Sequence, residues 1–221
     1  MKPCVAKLML MIFTLLPGIV SADLPADAAY LDGGDNKTGL ILCHGRGKNP
    51  TWKVVDPLRK GVHEKLGYHT LSIQLPNDDK NWKKYADDFP EAFTRIKDAI
   101  RFLKEEKGVT SIYLMGHSMG SRMAGAFLAH NVNQPINGLI IAGCRNNGGG
   151  DLNCLHNIEN LQLPILDIWG GGERKDASAA HERESLRSKN YIQVAIPNAN
   201  HRFDNHEDEF VDAVSAWLEK Q

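Results

Sequence analysis

The chain lacks several features that would assign it directly to a binding class. Its 221 residues carry 26 lysine and arginine residues against 27 aspartate and glutamate residues, which gives a net charge of -1, and the two signs are interspersed. No basic patch of the kind that binds nucleic acid or anionic lipid is therefore expected. Internal repeats and low-complexity tracts are also missing. This composition predicts one compact domain, because a chain of this length has little room for two.

Long hydrophobic runs are missing as well. The apolar stretch at residues 8–16 is about half of the ~20 residues needed to span a bilayer. Lysines precede it and the small residues Val20-Ser21-Ala22 follow it, a pattern typical of a cleaved signal peptide. We therefore expect a signal peptide over residues 1–22 and a single mature domain over residues 23–221. That domain would have no membrane span and would be periplasmic or secreted, and a retained N-terminal anchor helix is the alternative.

Cysteine is scarce, with four residues in the chain, of which Cys4 would leave with the signal peptide. A zinc site is not expected, because there is no second cysteine pair and no nearby H-x-H. Cys43 lies in an apolar run and is expected to be a buried thiol. Cys144 and Cys154 bracket a loop with three consecutive glycines. In an oxidising compartment these two are expected to form a disulfide.

The most informative segment is the pentapeptide Gly116-His117-Ser118-Met119-Gly120, which follows a short apolar run and precedes a helical pattern. A nucleophilic serine must sit on a turn too sharp for bulky neighbours, which favours glycine at both ends of this G-x-S-x-G motif. The following helix would point its N-terminal amides at the serine oxygen, where negative charge develops during acyl transfer. A glycine-rich structural turn is the alternative interpretation.

Strand-like and helical patterns alternate along the rest of the chain. Continuously apolar strands separated by helices predict an α/β fold with a mostly parallel, doubly wound sheet. Right-handed crossovers bring the C-terminal ends of such strands to one edge, where the chemistry is expected. The predicted strands are residues 39–43, 69–75, 111–115, 136–142, 164–169 and 191–196, and the predicted helices are residues 54–66, 90–106, 118–129, 177–188 and 207–219.

Three features fall on that edge. The glycine-flanked turn at residues 44–47 would let backbone N–H groups face inward, as an oxyanion hole requires. Ser118 follows the central strand, and His201 follows the last one. A serine hydroxyl needs a neutral imidazole within reach to take its proton, and the imidazole needs an acid to orient it. That acid should follow the strand at residues 164–169, and Asp167 is set aside because it lies inside this strand.

The chain resembles the α/β-hydrolase superfamily. The resemblance is carried by residues 44–47 and 116–120, by Ile168-Trp169-Gly170 and by Asn200-His201-Arg202-Phe203. They cover residues 39–220 in the family's order of nucleophile, acid and histidine. In size the chain is similar to lid-less carboxylesterases and to dienelactone-hydrolase-like enzymes, although the latter usually carry cysteine at the position of Ser118. Only a short connection follows the strand at residues 136–142, where relatives often insert a lid, so an open pocket is expected.

The resemblance implies a serine carboxylesterase that cleaves small acyl esters without a metal or organic cofactor. Ser118 would be the nucleophile and His201 the base, with the backbone N–H groups of Arg46 and Met119 as the oxyanion hole. A thioesterase, a lipase and a peptidase are alternatives within the hydrolases. A non-catalytic binding protein on the same scaffold is the alternative from another class, since fold alone does not fix function.

The identity of the acid stays open between two residues. The family's spacing, counted from Gly170, leads to Glu173, which we prefer. Asp176 is the alternative and would otherwise cap the next helix. The glycines at residues 170–172 leave the loop free to present either carboxylate.

Other polar residues near the same edge receive structural interpretations. His117 is expected to have no part in proton transfer. Asp204, three residues before Glu207, resembles a capping box at the start of the last helix. The polar loop at residues 77–85 either contributes Trp82 or Tyr85 to the pocket wall or is a solvated connection.

Overall fold

The computed structural model describes residues 22–78, 81–188 and 190–221. The predicted signal peptide lies, except for Ala22, outside the described residues. The described chain forms one seven-stranded sheet. Its strands are β1 (Ala29–Leu31), β2 (Thr38–Cys43), β3 (His69–Ile73), β4 (Ser111–His117), β5 (Gly138–Ala142), β6 (Ile165–Gly170) and β7 (Tyr191–Ile196). Their order in the sheet is β1-β3-β2-β4-β5-β6-β7, and all pairs are parallel except β1 with β3.

In the described ranges, six helices and three 3-10 turns connect the strands or follow the last of them. The helices are α1 (Val55–Leu66), α2 (Phe89–Glu105), α3 (Met119–His130), α4 (Cys154–Ile158), α5 (Arg174–Glu182) and α6 (Glu207–Leu218), and the 3-10 turns are Trp82–Asp88, Gly150–Leu152 and Glu184–Leu186. Helices α1 and α6 share one hydrophobic core with the sheet, while α2, α3 and α4 share the other. This confirms the predicted α/β fold with helices on both faces. None of the helices in the described ranges is long and apolar enough to cross a membrane.

The alternation of side chains along β2 explains why its sequence is continuously apolar. Leu40 and Leu42 point into the core under α1 and α6, whereas Ile41 and Cys43 point into the opposite core. A strand covered on both faces needs apolar side chains at every position, not at every second one. Cys43 is accordingly a buried free thiol, as predicted.

Local differences from the predicted elements have identifiable causes. Strand β1 was not predicted, because it has three half-buried residues and is recognisable only by its antiparallel pairing with β3. Helix α5 begins at Arg174, three residues earlier than predicted, because Glu173 caps it. The capping box at Asp204 is wrong: His206 is the N-cap of α6 without a side-chain cap bond. Asp204 instead accepts hydrogen bonds from Lys53, Asn200 and Arg202.

Two covalent or ionic links hold the loops that follow β5 and β6. Cys144 and Cys154 form the predicted disulfide, with Cα atoms 6.0 Å apart. Inside β6, Asp167 accepts hydrogen bonds from Nε and Nη2 of Arg183 at 3.0 and 2.9 Å. The Tyr191 hydroxyl donates to the same carboxylate at 2.6 Å. Asp167 therefore has a buried structural partner, consistent with leaving it out of the site.

Candidate active site

Ser118 lies on a sharp turn between the C-terminal end of β4 and helix α3, with φ of 55° and ψ of -111°. Positive φ in a serine is strained, and such strain is typical of a nucleophile turn. The two flanking glycines are required by space. A Cβ on Gly116 would lie 2.4 Å from the carbonyl of Gly120, and a Cβ on Gly120 would lie 2.3 Å from the carbonyl oxygen of Cys43. The two glycines of the G-x-S-x-G motif therefore allow the start of helix α3 to pass close to the ends of strands β4 and β2.

The structure brings Ser118, His201 and Asp176 together in a hydrogen-bonded chain. The Ser118 Oγ lies 3.0 Å from His201 Nε2, and His201 Nδ1 lies 2.6 Å from Asp176 Oδ2. With the ring proton on Nδ1 donated to Asp176, Nε2 is left free to accept the proton of the serine hydroxyl. This tautomer is the one that a general base needs.

Glu173, the acid preferred from the sequence, is not beside the histidine. Its carboxylate accepts a hydrogen bond from the Lys175 backbone N–H at 3.2 Å and so caps helix α5. Asp176 was expected to do this and instead lies in the first turn of the helix, directed at His201. The preference for Glu173 is corrected by this geometry, because the family's residue count takes no account of where α5 begins.

Arg145 helps to hold the Asp176 carboxylate, which is fully buried. Its Nε donates to Asp176 Oδ1 at 2.7 Å, so the two carboxylate oxygens have separate partners. Burial by itself raises the pKa of Asp176, but the hydrogen bonds and positive charges of His201 and Arg145 outweigh burial. The net pKa lies below its ordinary value, so Asp176 stays ionised and can stabilise a protonated imidazole.

Glycines make room for the histidine and its acid. Gly143 has φ of 58°, and a Cβ on it would lie 2.9 Å from His201 Nδ1 and 3.1 Å from Asp176 Oδ2. A Cβ on Gly170, at the end of β6, would lie 2.2 Å from the carbonyl oxygen of Asn200. Larger residues at these two positions would displace the loop that carries His201.

His117, inside the pentapeptide, positions the same loop. Its Nε2 lies 2.8 Å from the backbone carbonyl oxygen of His201, and a ring N–H must be the donor there. Nδ1 is then bare and has no hydrogen-bond partner among the described residues. Burial, followed by the charge on His201, lowers the pKa of His117 to about 3. His117 is therefore neutral, and it contacts the backbone of His201; this positioning contact was not predicted from the sequence.

On the opposite side of Ser118, His44 fixes the turn that was predicted to supply an oxyanion donor. Its Nε2 accepts from the Leu75 backbone N–H at 3.0 Å, and its Nδ1 donates to the carbonyl oxygen of Gly45 at 2.9 Å. Burial lowers the pKa of His44 to about 4, so the ring is neutral. Arg46 follows this pinned turn, and Met119 begins α3. Both line the cavity that contains Ser118.

A cavity of about 650 Å³ opens beside Ser118 and His201. Trp82 forms part of its wall, whereas Tyr85 is buried in the hydrophobic core. The polar loop therefore contributes to the pocket through Trp82. The lining residues are Arg46, Trp82, Ser118, Met119, Arg122, Arg145, Asn146, Asn147, Lys175, Ser178, Ala179, Glu182 and His201. Among the described residues no group of three or more His, Cys, Asp or Glu side chains is arranged to hold a metal.

This architecture, with a sharp turn at Ser118 and a cavity at the carboxyl edge of the sheet, is the α/β-hydrolase fold. Est1E from Butyrivibrio proteoclasticus with ferulic acid bound is 18% identical, over 88% of this chain and 94% of that one, with a TM-score of 0.66. Dienelactone hydrolase from Anabaena variabilis is 16% identical, over 91% and 95%, with a TM-score of 0.68. A serine hydrolase without a lid from Xanthomonas campestris is 16% identical, over 90% and 86%, with a TM-score of 0.63.

Within this class, the sequence itself matches one family model. The model is described as "Protein of unknown function (DUF3530)" and matches residues 79–220. The match covers more than half of the chain, and the protein belongs to this family. No curated protein matches the chain.

Proposed function

We propose that this protein is a serine hydrolase that cleaves small carboxylic esters through an acyl-enzyme intermediate. The observation that carries the proposal is the chain from Ser118 Oγ through His201 to the buried Asp176, with distances of 3.0 and 2.6 Å. A hydroxyl, an imidazole and a carboxylate in this order are the components of nucleophilic acyl transfer.

In the first half of the reaction the Ser118 hydroxyl attacks the ester carbonyl carbon, and its proton passes to His201 Nε2. Asp176 accepts the Nδ1 hydrogen bond throughout and stabilises the imidazolium that forms. The carbonyl oxygen becomes an oxyanion, for which we assign the backbone N–H groups of Met119 and Arg46 as donors. The N–H of Ser118 itself is not a donor, because it is bonded to the carbonyl oxygen of Ala142 at 2.8 Å.

The imidazolium then returns its proton to the alcohol oxygen as the C–O bond breaks, which completes the first half of the reaction. The alcohol leaves and the acyl group remains on Ser118. A water molecule then gives its proton to His201 Nε2 and attacks the acyl carbon. When the tetrahedral intermediate collapses, the proton goes back to Ser118 Oγ and a carboxylic acid is released. No step in this sequence needs a cofactor.

The proposed substrate size follows from the loop after β5. In the described chain, residues 143–153 connect β5 to α4, and the disulfide ties the start of this connection to the start of α4. Such a short, tethered segment leaves the cavity open on that side. An open pocket of this volume favours small esters over large buried lipids.

We also propose that the protein is exported, with residues 1–22 removed as a signal peptide and residues 23–221 forming the mature domain. The disulfide supports this proposal, because such bonds persist in oxidising compartments. N-terminal sequencing of protein purified from the periplasm or medium tests it. A mature chain that begins at Asp23 is expected, and an intact N-terminus at Met1 would contradict it.

Hydrolysis of p-nitrophenyl esters of increasing acyl length, with labelling by a fluorophosphonate probe, tests the reaction. Replacement of Ser118 by alanine should lower kcat by on the order of 10⁴-fold and abolish labelling. Ser185, which is exposed and outside the cavity lining, provides the matched control variant Ser185→Ala. Folded wild-type protein that neither reacts with the probe nor cleaves any ester would indicate a non-catalytic binding protein instead.

A further inference from the structure

One arginine in the cavity beside Ser118 is buried without a counter-charge. Arg122 lies one helical turn after Ser118 on α3 and is only 5% exposed. Its Nη2 donates to Asn147 Oδ1 at 2.6 Å. Its Nη1 is buried and has no hydrogen-bond partner, and no carboxylate within the described ranges forms an ion pair with it. The guanidinium therefore keeps unused hydrogen-bonding capacity at the cavity wall.

The same protein shows how a structural arginine is satisfied. Arg183 is equally buried, yet it has a bidentate carboxylate partner in Asp167 and further acceptors in the Cys144 carbonyl oxygen and Asn146. Arg122 has only a neutral amide oxygen. Burying an unpaired charge is strongly unfavourable unless something supplies the missing negative charge. Burial, and then the nearby Arg145, lowers the pKa of Arg122 to about 10, so it remains charged at neutral pH.

The surroundings of Arg122 favour an anion from outside the protein. Arg145 and Lys175 also line the cavity, and Glu182 is the single carboxylate among the lining residues of the described chain. The Glu182 carboxylate accepts a hydrogen bond from Asn146 at 2.8 Å. The Arg122 guanidinium also lies 5.2 Å from the centre of the Trp82 ring, a distance suited to cation–π contact. The cavity thus has a positive wall beside the serine.

We propose that Arg122 binds a free carboxylate on the substrate, so that the preferred esters are half esters of short dicarboxylic acids. This proposal rests on the proposed hydrolase function. A guanidinium presents its N–H groups in a fork that matches a planar carboxylate. One unpartnered cation balances one negative charge. Ser118 and Arg122 line the same cavity of about 650 Å³, so the carboxylate and the scissile carbonyl must be joined by a spacer short enough to fit within it.

Two esters of nearly equal shape test the subsite. Monomethyl glutarate carries a carboxylate where methyl 5-methylhexanoate carries an isopropyl group, and acid release by either is followed by titration at constant pH. The wild type should show a kcat/KM for the anionic ester roughly 10- to 100-fold higher, the range expected for a hydrogen bond to a charged group. Monomethyl succinate and adipate then define the spacer length.

Variants connect this preference to the residue. Arg122→Met should make the kcat/KM values of the two esters nearly equal, and Arg122→Lys should keep part of the preference for the anionic ester. Arg101→Met removes the same charge at an exposed site on α2 and should leave the ratio unchanged. A ratio near one in the wild type, or a ratio that survives Arg122→Met, would overturn the proposal.

Two further measurements distinguish an anion subsite from a purely structural arginine. Removing an unpaired buried charge should leave Tm unchanged or raise it. A fall of several degrees in Arg122→Met would mean that the contacts of Arg122 with Asn147 and Trp82 satisfy it within the fold, and it would overturn the subsite. Calorimetry on the Ser118→Ala protein measures binding of monomethyl glutarate without turnover. If this binding depends on Arg122 but the wild-type protein hydrolyses no ester, the anion site is supported and the proposed hydrolase function is wrong. Hydrolysis of both esters at equal rates would do the reverse.

Discussion

Arg145 and Asp176 are joined by a 2.7 Å hydrogen bond that occupies one oxygen of the carboxylate and leaves the other for His201. The arginine comes from the loop after β5, and the aspartate comes from the first turn of α5. Asp176 is therefore held from two sides, by a cation and by the imidazole that it orients. This relationship distinguishes Asp176 from Glu173, which lies 3.6 Å from the same arginine but does not contact the histidine.

The first prediction compares these two carboxylates. Asp176→Asn should lower kcat by about 10³- to 10⁴-fold, because the amide no longer favours the tautomer with a bare Nε2. Glu173→Gln should change kcat only a few-fold, since its side-chain oxygen can still cap α5. Steady-state kinetics on a p-nitrophenyl ester measures both. If Glu173→Gln were the more damaging change, the assignment of Asp176 would be wrong.

The disulfide should stabilise the fold and also support catalysis. The two half-cystines are 10 residues apart, and closing a loop of that size contributes about 3 kcal/mol to the free energy of unfolding in the chain-entropy model. A Cys144→Ser, Cys154→Ser double variant should lose about that amount in urea unfolding. Its kcat should also fall, because Arg145 directly follows Cys144 in the chain.

Reducing agent provides the control for this prediction. Dithiothreitol should lower the Tm and the kcat of the wild type toward those of the double variant, and it should leave the double variant unchanged. Equal sensitivity of the two proteins to the reagent would show that the effect does not come from this bond.

Buried His117 should make the fold sensitive to acid. The unfolded chain protonates a histidine below pH about 6.5, whereas the pKa of His117 in the fold is about 3. Between these values the unfolded state binds more protons, so stability rises with pH across that window and is progressively lost as pH falls. At pH 5 the loss should be about 2 kcal/mol.

The His117→Gln variant tests this linkage, because glutamine does not titrate. Urea unfolding at several pH values between 4 and 7 should give a shallower dependence of unfolding free energy on pH, by up to about 1.4 kcal/mol per unit. His44 keeps its own contribution of the same sign and remains in both proteins. Parallel curves for the two proteins would rule out His117 as the source.

The Asp167–Arg183 pair should behave as a buried ion pair. Asp167→Asn leaves the guanidinium buried without its counter-charge and should destabilise the fold by about 3–5 kcal/mol. Asp98→Asn breaks an exposed pair with Arg101 and should cost about 0.5 kcal/mol or less. Thermal unfolding of the two variants gives the comparison, and similar costs would mean that the inner pair is not fully desolvated.

The parts of the fold that could be predicted from the sequence are those set by local pattern. The continuous apolar runs of β2 and β5 reveal strands, because a strand buried on both faces carries apolar side chains at successive positions. Strand β1 could not be found in this way, since its pairing with β3 joins residues about forty positions apart, as in Ala29 with Ser72.

The site was predictable to the same degree. Ser118 and His201 follow from strand ends and chain order. Asp176 could not be assigned in this way, because the direction of its side chain depends on where helix α5 begins. The contacts of Arg145 with Asp176 and of His117 with the His201 carbonyl oxygen join residues 31 and 84 positions apart. Such contacts arise from tertiary packing, and no periodicity in the sequence encodes them.

The position of the strands in the sheet has a consequence for how the protein loses activity. Ser118 follows β4, which lies between β2 and β5, while His201 follows β7 at the edge of the sheet. Edge strands open at lower free energy than central ones, and amide hydrogens there exchange sooner. The proposed nucleophile Ser118 and the proposed base His201 are thus carried by regions with different resistance to local unfolding. Mild heat or denaturant would separate them while the central sheet is still folded, so inactivation would precede loss of the core.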